Sequence, residues 1–327
     1  MKIMIASDFH IEESSFGEID FIFEELIALK EKENIDELYL LGDIFDKIYP
    51  SPLEMDCFAS FIKKIDLPTT IVIAKSHESE SAVSSVLNHF GILKDNIKTY
   101  FEWIEVEPQT NYKMGLGHFC IKESLCGFNE TRSIKDFVGL RLVVAGHQHV
   151  MQVVGDFFYH IGSVRYVNFD EVRDKCKYVG ILTLSSSIRD FSLKPLKTPF
   201  PMVDIYFTVS TEKMQQWVSS KELEGKNKDN AESLAVLTKK LDRIPPNSKV
   251  RIVLGDFEAY KQWLTVTEHY RERFFKMKEL KKFEIKLQNI QPEKKTAIHL
   301  EKDLEIFLQN HPAQESIKSI LRGVVKK

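Results

Sequence analysis

Five times within its first 150 residues the chain runs a strand-length apolar segment directly into an aspartate or a histidine, and this repetition constrains the fold more than any other feature. The clearest case is Leu40-Leu41-Gly42-Asp43-Ile44-Phe45-Asp46, where an apolar run stops at a glycine and carboxylates follow. The others are Ile5-Ala6-Ser7-Asp8-Phe9-His10, Ile73-Ala74-Lys75-Ser76-His77-Glu78, Gly115-Leu116-Gly117-His118 and Val144-Ala145-Gly146-His147-Gln148-His149. A carboxylate or imidazole at the end of a buried strand sits on a rigid support at a sheet edge, where α/β folds keep their sites. Two aspartates and five histidines brought together in that way make a metal site.

Between these segments the spacing alternates. Ile19, Ile22, Leu26 and Leu29 recur at helical intervals and predict a crossover helix. A strand over 37–41, a helix over 53–65 and a strand over 69–74 follow, the alternation of a layered α/β domain. Val83, Val86, Leu87 and Phe90 predict a helix over 81–90, and 140–145 is the most apolar strand. Residues 157–164 and 177–184 are expected to close a second sheet. Asp8 and His10 stand two apart, as do His147 and His149, so in extended backbone each pair shares one side. Asp43 is the carboxylate best placed to bridge two cations, having two oxygens to offer. Asp46 reads equally as an outer carboxylate of the site or as a loop hydrogen-bonder or helix N-cap.

Pro195, Pro199 and Pro201 mark a linker, after which a small α+β unit is expected with strands over 203–209, 249–254 and 283–289 and helices over 211–219, 231–241 and 257–278. The whole chain carries a formal charge of -3, which argues against general coating of nucleic acid, so a basic face has to be local. Residues 200–292 hold 17 Lys and Arg against 13 Asp and Glu. Their densest cluster, Arg271, Arg273, Lys276, Lys278, Lys281 and Lys282, interrupted by Phe274 and Phe275, is either a solvated helix face with two core rings or a phosphate-binding face. The tail beyond 293 has two helical patterns around Pro312, too short to bury much surface alone. It either packs back on the body or binds a partner. No run of about 18 apolar residues occurs and Met1 leads into a strand, so a cytoplasmic protein without membrane contact is expected. Cys57, Cys120, Cys126 and Cys176 show no zinc spacing and are expected to be structural thiols.

Asp8-x-His10, Gly42-Asp43-x-x-Asp46, His77-Glu78, Gly117-His118 and Gly146-His147-x-His149 together resemble the calcineurin-like metallophosphoesterases, in that family's order. The small unit after the linker and the helical tail further resemble the SbcD family, the bacterial and phage form of the meiotic-recombination-eleven nucleases. The resemblance implies a layered α/β/β/α core over 1–198, a DNA-facing cap over 199–292 and a partner-binding tail over 293–327. It implies that Asp8, His10, Asp43 and His149 hold one metal and that Asp43, His118 and His147 hold another. His77 would face the scissile phosphate and Asp46 would orient it. Mixed imidazole and carboxylate donors suit Mn²⁺, Zn²⁺ or Fe²⁺, with Mn²⁺ the family's ion and Mg²⁺ a further candidate.

One departure stands out. The family has Gly-Asn-His at the third motif, with the Asn amide a ligand of the second metal, whereas this chain has Lys75-Ser76-His77. Ser76 is a shorter and weaker donor, and Lys75 adds a positive charge, so a weaker second metal is expected. The activity implied is that of a DNA exonuclease and endonuclease subunit in repair, recombination or replication, working in a bacterial or phage-infected host cytosol. It would act as a homodimer, through the 53–65 and 81–90 helices with Leu87 at the two-fold, and dock an SbcC-type ATPase on its tail. The alternatives are a DNA-end-binding scaffold with a weakened site, or a small-molecule metallophosphodiesterase.

Overall fold

The structure is a computed structural model that describes residues 1–75, 85–93, 95–109, 111–127, 130–174, 176–185, 189–200, 202–207, 244, 248–254 and 282–287. Ser76, His77, the first residues of the 81–90 helix, the three cap helices, the basic cluster at 271–278 and the tail at 293–327 lie outside the described residues.

Two sheets face one another. In the first, β1 (Lys2–Ala6), β2 (Glu37–Leu41), β3 (Thr69–Ile73) and β4 (Ile97–Phe101) run parallel, in the order given. In the second, β5 (Trp103–Gln109), β6 (Tyr112–His118), β7 (Leu142–Gly146), β8 (Gln152–Val154) and β9 (Phe158–His160) lie in the order β5-β6-β7-β9-β8. Only β6, β7 and β9 are mutually parallel. The period of two sorts the side chains into layers. Met4, Ala6, Leu38 and Leu40 point toward the helices α1 (Phe16–Glu33) and α2 (Pro52–Ile65), while Ile3, Ile5, Tyr39 and Leu41 point toward Met114, Leu116, Leu142 and Val144 of the second sheet. Val143 and Ala145 pack on the far side with Phe119, Phe137 and Phe158.

Local sequence explains where the helices start and stop. Ser51 caps α2 in a reciprocal box with Glu54, and Pro52 occupies its first turn. Asp46 is therefore not the N-cap. Asn34 and Asp66 end α1 and α2 in the left-handed conformation, with their N–H groups returned to Lys30 and Ile62. Phe23 of α1 stacks on Phe61 of α2 at 4.1 Å, fixing how the two helices meet on the sheet.

Several expectations are corrected. Strand β10 (Lys177–Leu184) belongs to the first sheet, pairing antiparallel with β1, because the β1 edge is open to it. Residues 192–196, expected as linker, form part of the edge strand β11 (Arg189–Leu196), where Pro195 costs no interior ladder bond. The helix expected over 81–90 appears as α3 (Leu87–Leu93), and Ser85 accepts the Leu87 N–H with its side chain just before it. Leu87 is fully buried within the chain's own core, so it is not a surface residue of a two-fold interface. Cys120 and Cys126 are joined as a disulfide, since the turns at Ser124 and Gly127 bring their Cα atoms to 5.8 Å. Cys57 and Cys176 remain thiols.

By contacts the chain divides into two compact units, the first comprising Met1–Asp204, Arg243–Arg251 and Phe275–Phe283. Strands β12 (Met202–Phe207), β13 (Lys249–Leu254) and β14 (Lys282–Leu287) make a three-stranded sheet in the order β12-β13-β14. Among the described residues no helix is long and apolar enough to cross a membrane.

Candidate metal centre

The carboxyl ends of β1, β2, β6 and β7 converge, as parallel strands from two facing sheets must when both are cut off at one edge. Asp8, His10, Asp43 and His149 bring one donor atom each within 4.8 Å of one another, and so do Asp43, His118 and His147. Asp43 belongs to both groups. Asp8, His10, Asp43 and His118 are buried, while His147 is exposed.

Backbone geometry is unusual here. Asp8, His10, Asp43 and His147 all have positive φ, at 56°, 48°, 48° and 78°. Non-glycine residues rarely adopt this conformation, and each instance costs on the order of 1–3 kcal/mol that the surrounding core must offset. The two glycines ahead of the ligands serve close approach. A Cβ on Gly42 would come within 2.5 Å of the His118 ring, and one on Gly146 would come within 2.9 Å of Asp8 Oδ2 and 2.0 Å of Ser7 Oγ. The glycine before each turn thus lets a ligand from another strand lie against the main chain.

The carboxylates are oriented by neighbours that charge patterns do not reveal. Asp8 receives the His147 N–H at 3.1 and 3.2 Å and lies 2.5 Å from the Ser7 hydroxyl. His10 Nδ1 is 3.0 Å from Asp46 Oδ1, and His118 Nδ1 donates to Leu41 O at 2.8 Å. Each ring thereby spends Nδ1 on the protein and presents Nε2 to the centre. Asp46 thus acts on His10; the expected partner His77 lies outside the described residues. His149 Nδ1 faces Glu171 at 3.0 Å. Of these neighbours, Ser7 and Glu171 were missed in the sequence. Asn168-x-x-Glu171 has the spacing of a capping box, which it forms, but nothing in that pattern reports that the same carboxylate reaches His149.

The donor set fits a cation. His10 Nε2 and His149 Nε2 face one another at 3.0 Å, and the buried His118 Nε2 lies 3.2 Å from Asp43 Oδ2. Two ring nitrogens turned toward one another with carboxylates beside them suit a positive charge between them. The proton affinities point the same way. Burial lowers the His118 pKa, but the charge and hydrogen bond of Asp43, with Asp8 behind it, lift it to about 10. For His149, burial is likewise outweighed by its hydrogen bond to Glu171 and by the Asp8 charge, and its pKa is raised. A site that draws protons to this degree is one that a divalent cation can occupy in their place.

Lys75, expected to repel the second cation, is mostly exposed and has its ammonium 3.8 Å from Glu102. Water and that carboxylate screen its charge.

Residues 1–151 match the family model for calcineurin-like phosphoesterases. Over that stretch, a little under half of its length, the chain is similar to the calcineurin-like phosphoesterases. The family implies metal-dependent hydrolysis of phosphoesters. No curated protein matches the chain. Solved structures that resemble it include an archaeal phosphodiesterase (13% identity, TM-score 0.38, 59% of this chain and 100% of that one). Others are Zn²⁺-complexed Vps29 of Entamoeba histolytica (13%, TM-score 0.37, 60% and 99%) and the nuclease MPE of Pseudomonas putida (16%, TM-score 0.28, 46% and 63%).

Proposed function

We propose that this chain is a metallophosphoesterase and a DNA nuclease subunit, which hydrolyses phosphodiesters at DNA ends with Mn²⁺ in both halves of the centre. The observation that carries the hydrolytic reading is the sharing of Asp43 between two donor groups. Divalent ions bound there would supply an activated water and stabilise charge on phosphate. The protein's part is to hold the donors in place: Asp8, His10, Asp43 and His149 on one side, Asp43, His118 and His147 on the other. His77 then donates to or protonates the leaving oxygen, and the strand-end turns keep the ligands rigid while a phosphate enters. The basic surplus of residues 200–292 steers the DNA, the tail docks an SbcC-type ATPase, and the subunit pairs as a homodimer.

A second reading, a small-molecule metallophosphodiesterase, is favoured by two cations of that surplus that turn inward. Lys249 pairs with Glu18 at 2.7 Å and also donates to Tyr166 O, and Arg251 lies 3.5 Å from Asp170 with its guanidinium over Phe169. Neither is left to meet a phosphate backbone.

One experiment separates the readings: cleavage of a labelled duplex and of a small aryl phosphodiester by the full chain across a Mn²⁺ titration, with His77→Ala as control. Metal-dependent duplex cleavage, lost in His77→Ala with metal uptake retained, is the expected result. Hydrolysis of the small diester alone, with no DNA binding, would leave the second reading. DNA binding with no cleavage at any Mn²⁺ would make the chain a scaffold.

A further inference from the structure

Three of the histidines at the centre have Nδ1 against an acceptor, but the acceptors differ in kind. For His118 it is a main-chain carbonyl, and for His10 it is Asp46, whose side chain is 43% exposed. For His149 it is Glu171, which is 1% exposed and held from every side. Its Oε1 receives the N–H groups of Asn168 at 2.8 Å and Val167 at 3.1 Å besides facing His149 Nδ1 at 3.0 Å. Its Oε2 receives the Ser163 hydroxyl at 2.7 Å and the Lys177 ammonium at 2.5 Å. Lys177, itself buried, also donates to the main-chain oxygen of His149 at 3.0 Å and to Asp174 at 3.0 Å. One buried ammonium thus fixes both the carboxylate and the backbone of the ligand that it faces.

We infer that Glu171 is a positioning residue for the metal reaction: by accepting the Nδ1–H of His149 it turns the Nε2 lone pair toward Asp8 and Asp43. This rests on reading Asp8, His10, Asp43 and His149 as a cation site. The alternative for His149 is also present. The Asn168 amide nitrogen lies 3.1 Å from the same Nδ1, and its orientation is set because Asn168 Oδ1 accepts the Asp170 N–H at 3.0 Å. Were that amide to donate to Nδ1, the ring proton would sit on Nε2 and His149 would be lost as a ligand. A hydrogen bond to a carboxylate is roughly twice as strong as one between neutral groups, so Glu171 decides the tautomer. Its hydrogen bond to the centre goes to His149, a ligand of one half only.

The test uses the full chain with Mn²⁺ and Zn²⁺ as probes. Mn²⁺ uptake followed by electron paramagnetic resonance in wild type and Glu171→Gln should show one of two sites weakened about 10–100-fold, the usual cost of losing the acceptor behind a ligating histidine, with the other unchanged. Nitrogen-15 spectra of the Zn²⁺-loaded wild type, with His149→Ala assigning the ring, should place the proton on Nδ1 and the metal on Nε2. Equal affinities in wild type and Glu171→Gln, or a His149 proton on Nε2, would overturn the inference while leaving the metal centre standing. Failure of the wild type to take up either ion would remove the centre and the inference together. If Glu171→Gln does not fold, the wild-type tautomer decides alone.

Discussion

The two halves of the centre share Asp43 and differ in almost everything else. The half made by Asp8, His10, Asp43 and His149 uses four side chains, most of them buried, with Asp46 and Glu171 behind its two imidazoles. The half made by Asp43, His118 and His147 has three described donors, and one of them is exposed. Their proton affinities diverge as well. The pKa of His149 is raised, whereas desolvation and the neighbouring His118 hold that of His147 below its ordinary value. The comparison teaches that anchoring, and not charge alone, distinguishes two adjacent groups of donors. The first half is preorganised by carboxylates; the second leans on a carbonyl and on a glycine that makes room for a ring.

The largest effect should come from the residue that the halves have in common. Asp43→Ala should abolish uptake of both ions and lower Mn²⁺-dependent phosphodiester hydrolysis by about a thousandfold or more, the loss of roughly 4 kcal/mol of transition-state stabilisation. A two-metal complement in that variant, read by elemental analysis after gel filtration, would show that the halves do not meet at Asp43.

Next come the ligands that belong to one half only. His10→Ala should weaken the first ion and His118→Ala the second, each by more than about a hundredfold, since removing an outer partner alone costs about 10–100-fold. Calorimetric Mn²⁺ titrations of both variants check this, and loss of both ions in either one would merge the two halves into a single unit.

A stability difference of about 3 kcal/mol is expected from His160, which is fully buried behind the second half with Nδ1 3.4 Å from Gly146 O. Burial holds its pKa at about 4 against an ordinary 6.5. Between those values the unfolded chain binds the proton and the folded chain does not, so this residue's contribution falls as pH drops from 6.5 to 4 and is constant above. Urea midpoints of the metal-free wild type and His160→Leu, compared from pH 7 to pH 4, should show the wild type falling more steeply on acidification. Parallel curves would show that the ring is protonated in the fold.

The smallest effect sharpens the contrast where the chain leaves its family's pattern. Ser76→Asn should strengthen only the second ion, on the order of tenfold or 1.4 kcal/mol, and raise hydrolysis at limiting Mn²⁺. Adding Lys75→Gly should change little further, because that ammonium is mostly in water beside Glu102. An unchanged midpoint in Ser76→Asn would mean that the second half is already complete.

Much of this was determined by sequence alone. The strand limits at 37–41 and the apolar runs ending in Asp8, Asp43, His118 and His147 follow from period-two burial and from glycines at the strand ends, which are local rules. The same rules made Asp43 the natural bridge between cations. Other features needed the folded molecule because they join residues far apart in the chain. Strand β10 could have served either sheet, and only the open edge of β1 decided which. Leu87 carries the same apolar face whether it meets a second subunit or its own core, and only packing against the first sheet's helices chose the core. Lys249 counts toward a basic surface until Glu18, 231 residues away, draws it inside. Glu171 reads as a capping residue, and its approach to His149 exists because β7 and the turn after β9 end at the same place. Sequence periodicity records which side of its own element a residue faces; which partner waits on that side is settled by tertiary contacts, whose free energy no local pattern encodes.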